Sequence, residues 1–257
     1  MDLLRDLSSP QREAVTQVKG PLLVLAGAGS GKTRVLTYRI GYLIGTLKVE
    51  PRNILAVTFT NKAAEEMRER VKALIGELPR SLWLGTFHSA CVRILRGDAG
   101  LLGYPKDFTI YDQTDQLNLI KKVMKELDIS ERALDPKTVR ARVSRAKNGL
   151  ITPEAYPKLD PVEEVVARVY EGYQEKAREN KALDFDDLLM KTVELLLEHP
   201  GVLESYSGRF HHILVDEYQD TNHAQYLIVK LLSQAHRNLC VVGDDDQSIY
   251  GFRGADI

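Results

Sequence analysis

Residues Leu22 to Thr33 read LLVLAGAGSGKT, an apolar run that enters a glycine-rich bend and leaves it through Lys-Thr. No other segment restricts the fold as strongly. Ala26, Gly27, Ala28, Gly29, Ser30, Gly31, Lys32 and Thr33 follow the phosphate-binding spacing G-x-x-x-x-G-K-[ST], with alanine in place of the first glycine. Small residues let backbone N–H groups curl around phosphate oxygens, Lys32 brings a point charge to the β- and γ-phosphates, and the Thr33 hydroxyl can hold Mg²⁺. Ala26 puts a β-carbon into the opening turn, which extended backbone accommodates. The competing reading, a chance turn with glycines, has to explain the apolar strand before it and the helix-forming TRVLTYRIGYLI after it, which is the context such a loop requires.

That strand–loop–helix is the first of several. LLVLA (22–26), ILAVTF (54–59) and LWLGTF (82–87) alternate with helical patterns that start at Gly31 and Asn61. Short apolar strands separated by amphipathic helices predict an α/β fold, a parallel sheet with helices on both faces that binds ligands at the carboxyl ends of its strands. Ser9-Pro10 reads as an N-cap followed by proline at the first helical position, so a short helix carrying Gln11 precedes the first strand. From about Asp112 to Pro200 the strand signal vanishes into QLNLIKKVMKELD, KTVRARVSRAKN and VEEVVARVYEGYQEKAREN, which predict an all-helical insertion. Strand patterns return at HHILVD (211–216) and NLCVVGD (238–244), on either side of the helical AQYLIVKLLSQ.

HHILVDEYQD puts Asp216 and Glu217 just past an apolar strand, the position of a carboxylate pair in which Asp216 holds Mg²⁺ and Glu217 polarises the attacking water. In the third loop, NLCVVGDDDQSIYGFRGAD, Gln247 is a neutral group able to hydrogen-bond a terminal phosphate oxygen and report its loss. Taken singly, an Asp-Glu pair or a DDDQS turn is an ordinary solvated loop. Following three strands of one sheet, the three loops predict nucleoside triphosphate hydrolysis with ATP and Mg²⁺.

The 257 residues suffice for one large domain or two modest ones, and a net charge of −1 gives no global attraction for polyanions. A nucleic-acid site must therefore come from local arrangement. Cys91 and Cys240 form no C-x-x-C pattern and no cluster with histidine, so neither a disulfide framework nor a zinc site is expected. The acidic start MDLLRDLSSPQ and the lack of an apolar run of about 18 residues predict a cytoplasmic protein without a membrane span.

Seven ordered segments, LSSPQREAV (7–15), AGAGSGKTR (26–34), TFTNKAAEEM (58–67), GTFHS (85–89), LDFDDLL (183–189), VDEYQDTN (215–222) and VVGDDDQSIYGFRGAD (241–256), resemble the N-terminal half of UvrD/Rep/PcrA-type helicases of superfamily one. Ala26 is also what that family has. The resemblance implies a RecA-like ATP-binding lobe over 1–88 and 205–257, a helical insertion subdomain over 89–204, and a second motor lobe supplied by other segments. It implies that Gln11 reads the adenine edge with Arg34 near the nucleotide, and that Lys32, Thr33, Asp216, Glu217 and Gln247 serve phosphates, metal and water. It assigns Phe59, Asn61, His88, Phe185, Tyr250, Phe252 and Arg253 to motifs that line a single-strand channel or link it to ATP. The family usually has tryptophan where this chain has Phe252, which leaves a smaller stacking surface there.

Aromatic faces stack on any base, so such a channel grips single-stranded DNA without sequence preference. Without the motifs, Phe59 and Phe185 read as core residues; the resemblance reverses that for Phe185 and Phe252. KTVRARVSRAK (137–147) carries five basic residues and no acid; Val139, Val143 and Ala146 recur at helical spacing, so one face is expected to pack while the cations face outward, toward duplex phosphates at a DNA junction or toward solvent. The functions in competition are an ATP-dependent 3′–5′ DNA-unwinding motor lobe, with the polarity implied by resemblance alone, a non-catalytic nucleic-acid-binding module, and an unrelated phosphate-loop enzyme such as a small-molecule kinase. Because the family draws its transition-state arginines from segments that this sequence does not contain, the 257-residue chain is expected to bind nucleotide weakly, turn over little and leave a sheet edge open to self-association.

Overall fold

The computed structural model describes residues 3–27 and 29–244, so the readings placed on Ala28, Gln247, Tyr250, Phe252 and Arg253 lie outside the described residues. In chain order the elements are α1 (Ser9–Thr16), β1 (Leu22–Leu25), α2 (Lys32–Gly45), β2 (Ile54–Thr58), α3 (Asn61–Ile75), β3 (Trp83–Thr86), α4 (Phe87–Asp98), β4 (Thr109–Tyr111), α5 (Gln113–Glu126), α6 (Pro136–Asn148), α7 (Pro161–Glu179), β5 (Ala182–Asp184), α8 (Phe185–Glu198), α9 (Pro200–Arg209), β6 (His212–Val215), α10 (His223–Ser233) and β7 (Leu239–Gly243). The chain divides into two compact units. One holds the described residues up to Ala90, His199–Thr221 and those from Gln225 onward; the other holds Cys91–Glu198 and Asn222–Ala224.

Among the described residues, the first unit is built on a five-stranded sheet in the order β1-β7-β6-β2-β3, parallel throughout, with Leu22 opposite Cys240, Ile213 opposite Leu239 and Leu55 opposite both Ile213 and Trp83. Helices flank this sheet, as the alternating pattern predicts. Leu36, Ile40 and Leu43 recur at i, i+4 and i+7 on α2 and pack with Met67 and Val71 of α3 against Ile54, Ala56, Leu214 and Val242. β2, inside the sheet, is buried at every residue, whereas β1 at the edge alternates: Leu22 and Val24 pack on the core while Leu23 and Leu25 are 57% and 56% exposed.

The N-cap of α1 is Ser8, one residue earlier than expected. Its hydroxyl accepts from the Gln11 N–H and the Gln11 side chain accepts from the Ser8 N–H, a reciprocal box that needs its two members three residues apart, which Ser9 with Arg12 does not supply. Pro10 then takes a later position of the first turn, where its missing N–H is equally harmless.

The second unit is mainly helical but not all-helical. β4 and β5 pair in parallel, Thr109 with Ala182 and Tyr111 with Asp184. Three-residue strands are too short to raise a period of two, and these partners lie some 70 residues apart, so nothing local announces them. The core gathers Leu119, Val123 and Met124 of α5, Val139, Val143 and Ala146 of α6, and Val166, Val169, Tyr170 and Tyr173 of α7. Not all the cations of α6 face outward. Lys147, at i+4 from Val143 and i+8 from Val139, lies on the packed face, fully buried against Asp184 (2.7 Å) and Asp187 (2.8 Å). No helix among the described residues is long and apolar enough to cross a membrane.

Candidate nucleotide and nucleic-acid sites

The glycine-rich loop leaves β1 through an Ala26 N–H bonded to the Gly243 carbonyl at 3.1 Å, which ties the loop to the end of β7. Ala26 is not among the residues with positive φ, so its β-carbon sits without strain, as expected. Gly29 and Gly31 carry φ of 75° and 88°, a region that disfavours any β-carbon. At Gly31 a Cβ would also lie 2.9 Å from Gln11 Nε2. Gln11 donates that amide to the Ser30 carbonyl at 3.0 Å, so the short first helix is fastened to the phosphate loop by the residue expected to read the base.

The loop delivers Lys32 and Thr33 to the first turn of α2. Thr33 Oγ1 lies 3.3 Å from Asp216 Oδ2, which brings together residues 183 apart in sequence and from strands separated in the sheet by β7. Burial, and behind it the charge of Glu217, pushes the Asp216 carboxyl up to about 6; the Glu217 N–H, the Thr33 hydroxyl and Lys32 act in the opposite sense. Glu217 follows with φ 49° and ψ 49°, a left-handed geometry that costs a non-glycine residue energy and is kept where surrounding structure imposes it. Gln219 is what grips it, donating to Glu217 Oε2 at 2.8 Å while accepting the Asp244 N–H at 3.1 Å. A Cβ on Gly243 would lie 2.9 Å from Gln219 Oε1, so glycine ends β7 because the glutamine passes there.

Lys32 Nζ is bound to Asp244 Oδ2 at 3.0 Å, with both side chains almost wholly buried. Asp244 and Gln219 were not singled out by sequence reasoning, although both stand inside motifs that were, GDDDQ and DEYQD. Nothing local marks Asp244 or Gln219 for these contacts; the order of the strands brings Lys32 to Asp244 and the Asp244 N–H to Gln219. Arg34 donates to the Asp6 carbonyl at 2.9 Å, lies 5.1 Å over the Tyr38 ring, and shares a hollow of about 310 Å³ with Thr37, Tyr38, Arg70, Ala73 and Leu74.

Among the residues assigned to nucleic acid, half-buried Phe59 and exposed Asn61 follow β2, and half-buried His88 follows β3, so all three sit at the same carboxyl end of the sheet as the phosphate loop. GTFHS is shaped by Ser89, whose hydroxyl donates to the Thr86 carbonyl at 2.7 Å and occupies the space a Cβ on Gly85 would need. Phe185 belongs to the second unit, where it opens α8 and is 48% exposed, not a core residue. In that unit Arg142 and Arg145 line a hollow of about 360 Å³ with Tyr156 and Glu163, and Arg140 donates to Gln113 at 3.2 Å.

A parallel sheet carrying a glycine-rich Lys-Thr loop after β1, a carboxylate after β6 and a second carboxylate, Asp244, directly after β7 defines the phosphate-loop class of α/β nucleotide-binding lobes. Within that class the chain belongs to the family described as the UvrD/REP helicase N-terminal domain, whose profile matches residues 7–257. It is 54% identical over 257 residues to proteins named ATP-dependent DNA helicase PcrA from Staphylococcus epidermidis and from Staphylococcus aureus. Each alignment takes in 99% of this chain and 35% of the relative, so the chain spans about a third of the length of the curated relatives it matches.

Proposed function

We propose that this chain is the nucleotide-binding lobe of an ATP-dependent, cytoplasmic 3′–5′ DNA helicase or translocase that acts on single-stranded DNA and duplex junctions in repair or replication. The observation that carries the reading is the meeting of Thr33 with Asp216 beside Lys32 at the carboxyl ends of the strands. A hydroxyl and a buried carboxylate form an all-oxygen donor pair, the type that suits Mg²⁺, and these two residues are the ones to hold it. When bound, the metal supplies charge neutralisation on the triphosphate. Lys32 adds a second positive charge, the loop amides between Gly27 and Thr33 orient the phosphates, and Glu217, fixed by Gln219, polarises the attacking water. Gln247 is assigned the γ-phosphate contact.

For nucleic acid, Phe59, Asn61 and His88 of the first unit and Phe185 of the second, with Tyr250, Phe252 and Arg253, supply the stacking and polar groups. Rings worth roughly 1–3 kcal/mol per stacked base hold DNA without reading it, which suits a motor that must slide. Turnover by the 257-residue chain alone is expected to be low. Titration with single-stranded DNA, with and without nucleotide, tests the reading: mutual strengthening or weakening of the two ligands supports a motor lobe, DNA binding indifferent to nucleotide favours a non-catalytic binding module, and indifference to DNA favours an unrelated kinase-type enzyme. Lys32→Ala serves as the nucleotide-blind control.

A further inference from the structure

The second unit contains a buried ionic cluster that the nucleotide site does not use. Lys147 of α6 is inaccessible to solvent and contacts Asp184 Oδ2 at 2.7 Å and Asp187 Oδ1 at 2.8 Å; the Tyr173 hydroxyl of α7 donates to the same Asp184 oxygen at 2.7 Å, and Gln174 donates to Asp187 at 3.0 Å. The two aspartates also cap one another across the start of α8, the Asp187 N–H to Asp184 Oδ1 at 2.8 Å and the Asp184 N–H to Asp187 Oδ2 at 3.1 Å. Between them, Asp186 accepts from Asn148 at 2.8 Å. Every neighbour of Phe185 from 184 to 187 is thus tied to α6 or α7, while Phe185 itself is 48% exposed.

Burial alone would depress the Lys147 ammonium, but the two carboxylates outweigh it and hold the group above its ordinary value, so the ammonium is charged at neutral pH. Buried ion pairs contribute little net stability compared with apolar residues of the same volume, and their best-attested use is to impose one geometry. Here the geometry imposed is that of the joint where β5 turns into α8. We infer that Lys147 is a positioning residue for DNA binding: through Asp184 and Asp187 it locks the strand-to-helix joint that presents the Phe185 ring to unpaired bases. The inference rests on the reading that Phe185 stacks on DNA. Locking the joint lowers the cost of ordering the ring when a base arrives, because an aromatic held in its bound orientation loses less freedom on binding.

The test uses the 257-residue chain with an oligothymidine containing one 2-aminopurine, read by anisotropy for affinity and by fluorescence quenching for stacking. Phe185→Ala, Lys147→Met, Tyr173→Phe and the doubles with Phe185→Ala are compared well below their melting temperatures. Lys147→Met is expected to weaken affinity roughly five- to tenfold and to reduce quenching, as partial loss of one stacked base does. Tyr173→Phe, which keeps Lys147, Asp184 and Asp187 and removes one donor to Asp184, is expected to weaken it about twofold and carries the comparison if Lys147→Met does not fold. In the Phe185→Ala background both changes should have no further effect on affinity. Equal losses with and without Phe185, or normal affinity and quenching in Lys147→Met or Tyr173→Phe while Phe185→Ala is impaired, would overturn the positioning role alone. Undiminished binding and quenching by Phe185→Ala itself would overturn the underlying assignment of that ring to DNA.

Discussion

Asp244→Asn is expected to tighten nucleotide binding and loosen the fold. Asp244 meets Lys32 at 3.0 Å with both side chains nearly buried. At an effective dielectric near 20, a charge pair at that distance attracts by about 5–6 kcal/mol before the cost of removing both ions from water. That cost consumes most of the attraction, but removing one partner leaves the other buried and uncompensated, which costs about 3–5 kcal/mol when nothing replaces it. Asparagine keeps the shape and offers Lys32 an amide oxygen, so a destabilisation of about 2 kcal/mol is expected. A triphosphate needs the same ammonium and is repelled by the same carboxylate, so both consequences of the substitution favour the anion. Roughly tenfold tighter binding of ATP, or about 1.4 kcal/mol, should follow, with Lys32→Ala moving affinity the other way. Titration with a fluorescent ATP analogue at fixed Mg²⁺, alongside thermal melts without nucleotide, separates the two effects. Unchanged or weaker nucleotide binding by Asp244→Asn at an intact fold would refute the view that Asp244 competes with phosphate for Lys32.

Gly31→Ala should reduce nucleotide affinity at least tenfold and lower the melting temperature, since φ of 88° and a Cβ at 2.9 Å from Gln11 Nε2 both oppose it; Gln11→Ala/Gly31→Ala should recover part of the stability but not the affinity. Burial, then the charge of Asp184, pushes Asp186 up to about 6 from an ordinary 3.8. The folded state therefore holds that proton more tightly than the unfolded chain, and its contribution to stability falls as pH rises from about 4 to 6 and stays low above. Asp186→Asn is expected to gain about 1–2 kcal/mol over the parent chain at pH 8 and little at pH 4, a difference that melts across the range will reveal or exclude. Neutralising Arg140, Arg142 and Arg145 together should flatten the dependence of duplex-junction binding on salt if they meet phosphates, and an unchanged slope excludes that contact.

Much of the first unit was legible because its signals are local. The run LLVLAGAGSGKT declares a strand, a loop and a helix start within a dozen residues, and its β1 and α2 fall where the pattern puts them. The apolar residues of α6 likewise pack as their spacing predicts. Lys147 departs from the outward-facing expectation because its place on that same spacing outweighs its charge, and its counter-ions arrive from a helix start some 40 residues later. The strand pair β4–β5 escaped because each member is three residues long and the pairing, not the composition, makes them strands.

Residue chemistry along the chain was enough to establish the class of fold, the glycine-rich loop and the carboxylate that meets its threonine, since a glycine-rich bend, a lysine at a helix start and a carboxylate after an apolar strand each carry their reason within a few neighbours. Sheet order decided the rest. It placed β7 between β1 and β6, and so set Asp244 against Lys32 and the Asp244 N–H against Gln219; it put β1 at an edge with two leucines uncovered; and packing of α6 and α7 on the start of α8 gathered Lys147, Tyr173, Asp184 and Asp187 into a buried lock beside Phe185. These are contacts between residues tens to hundreds of positions apart, and no local pattern encodes which distant partner a side chain will meet.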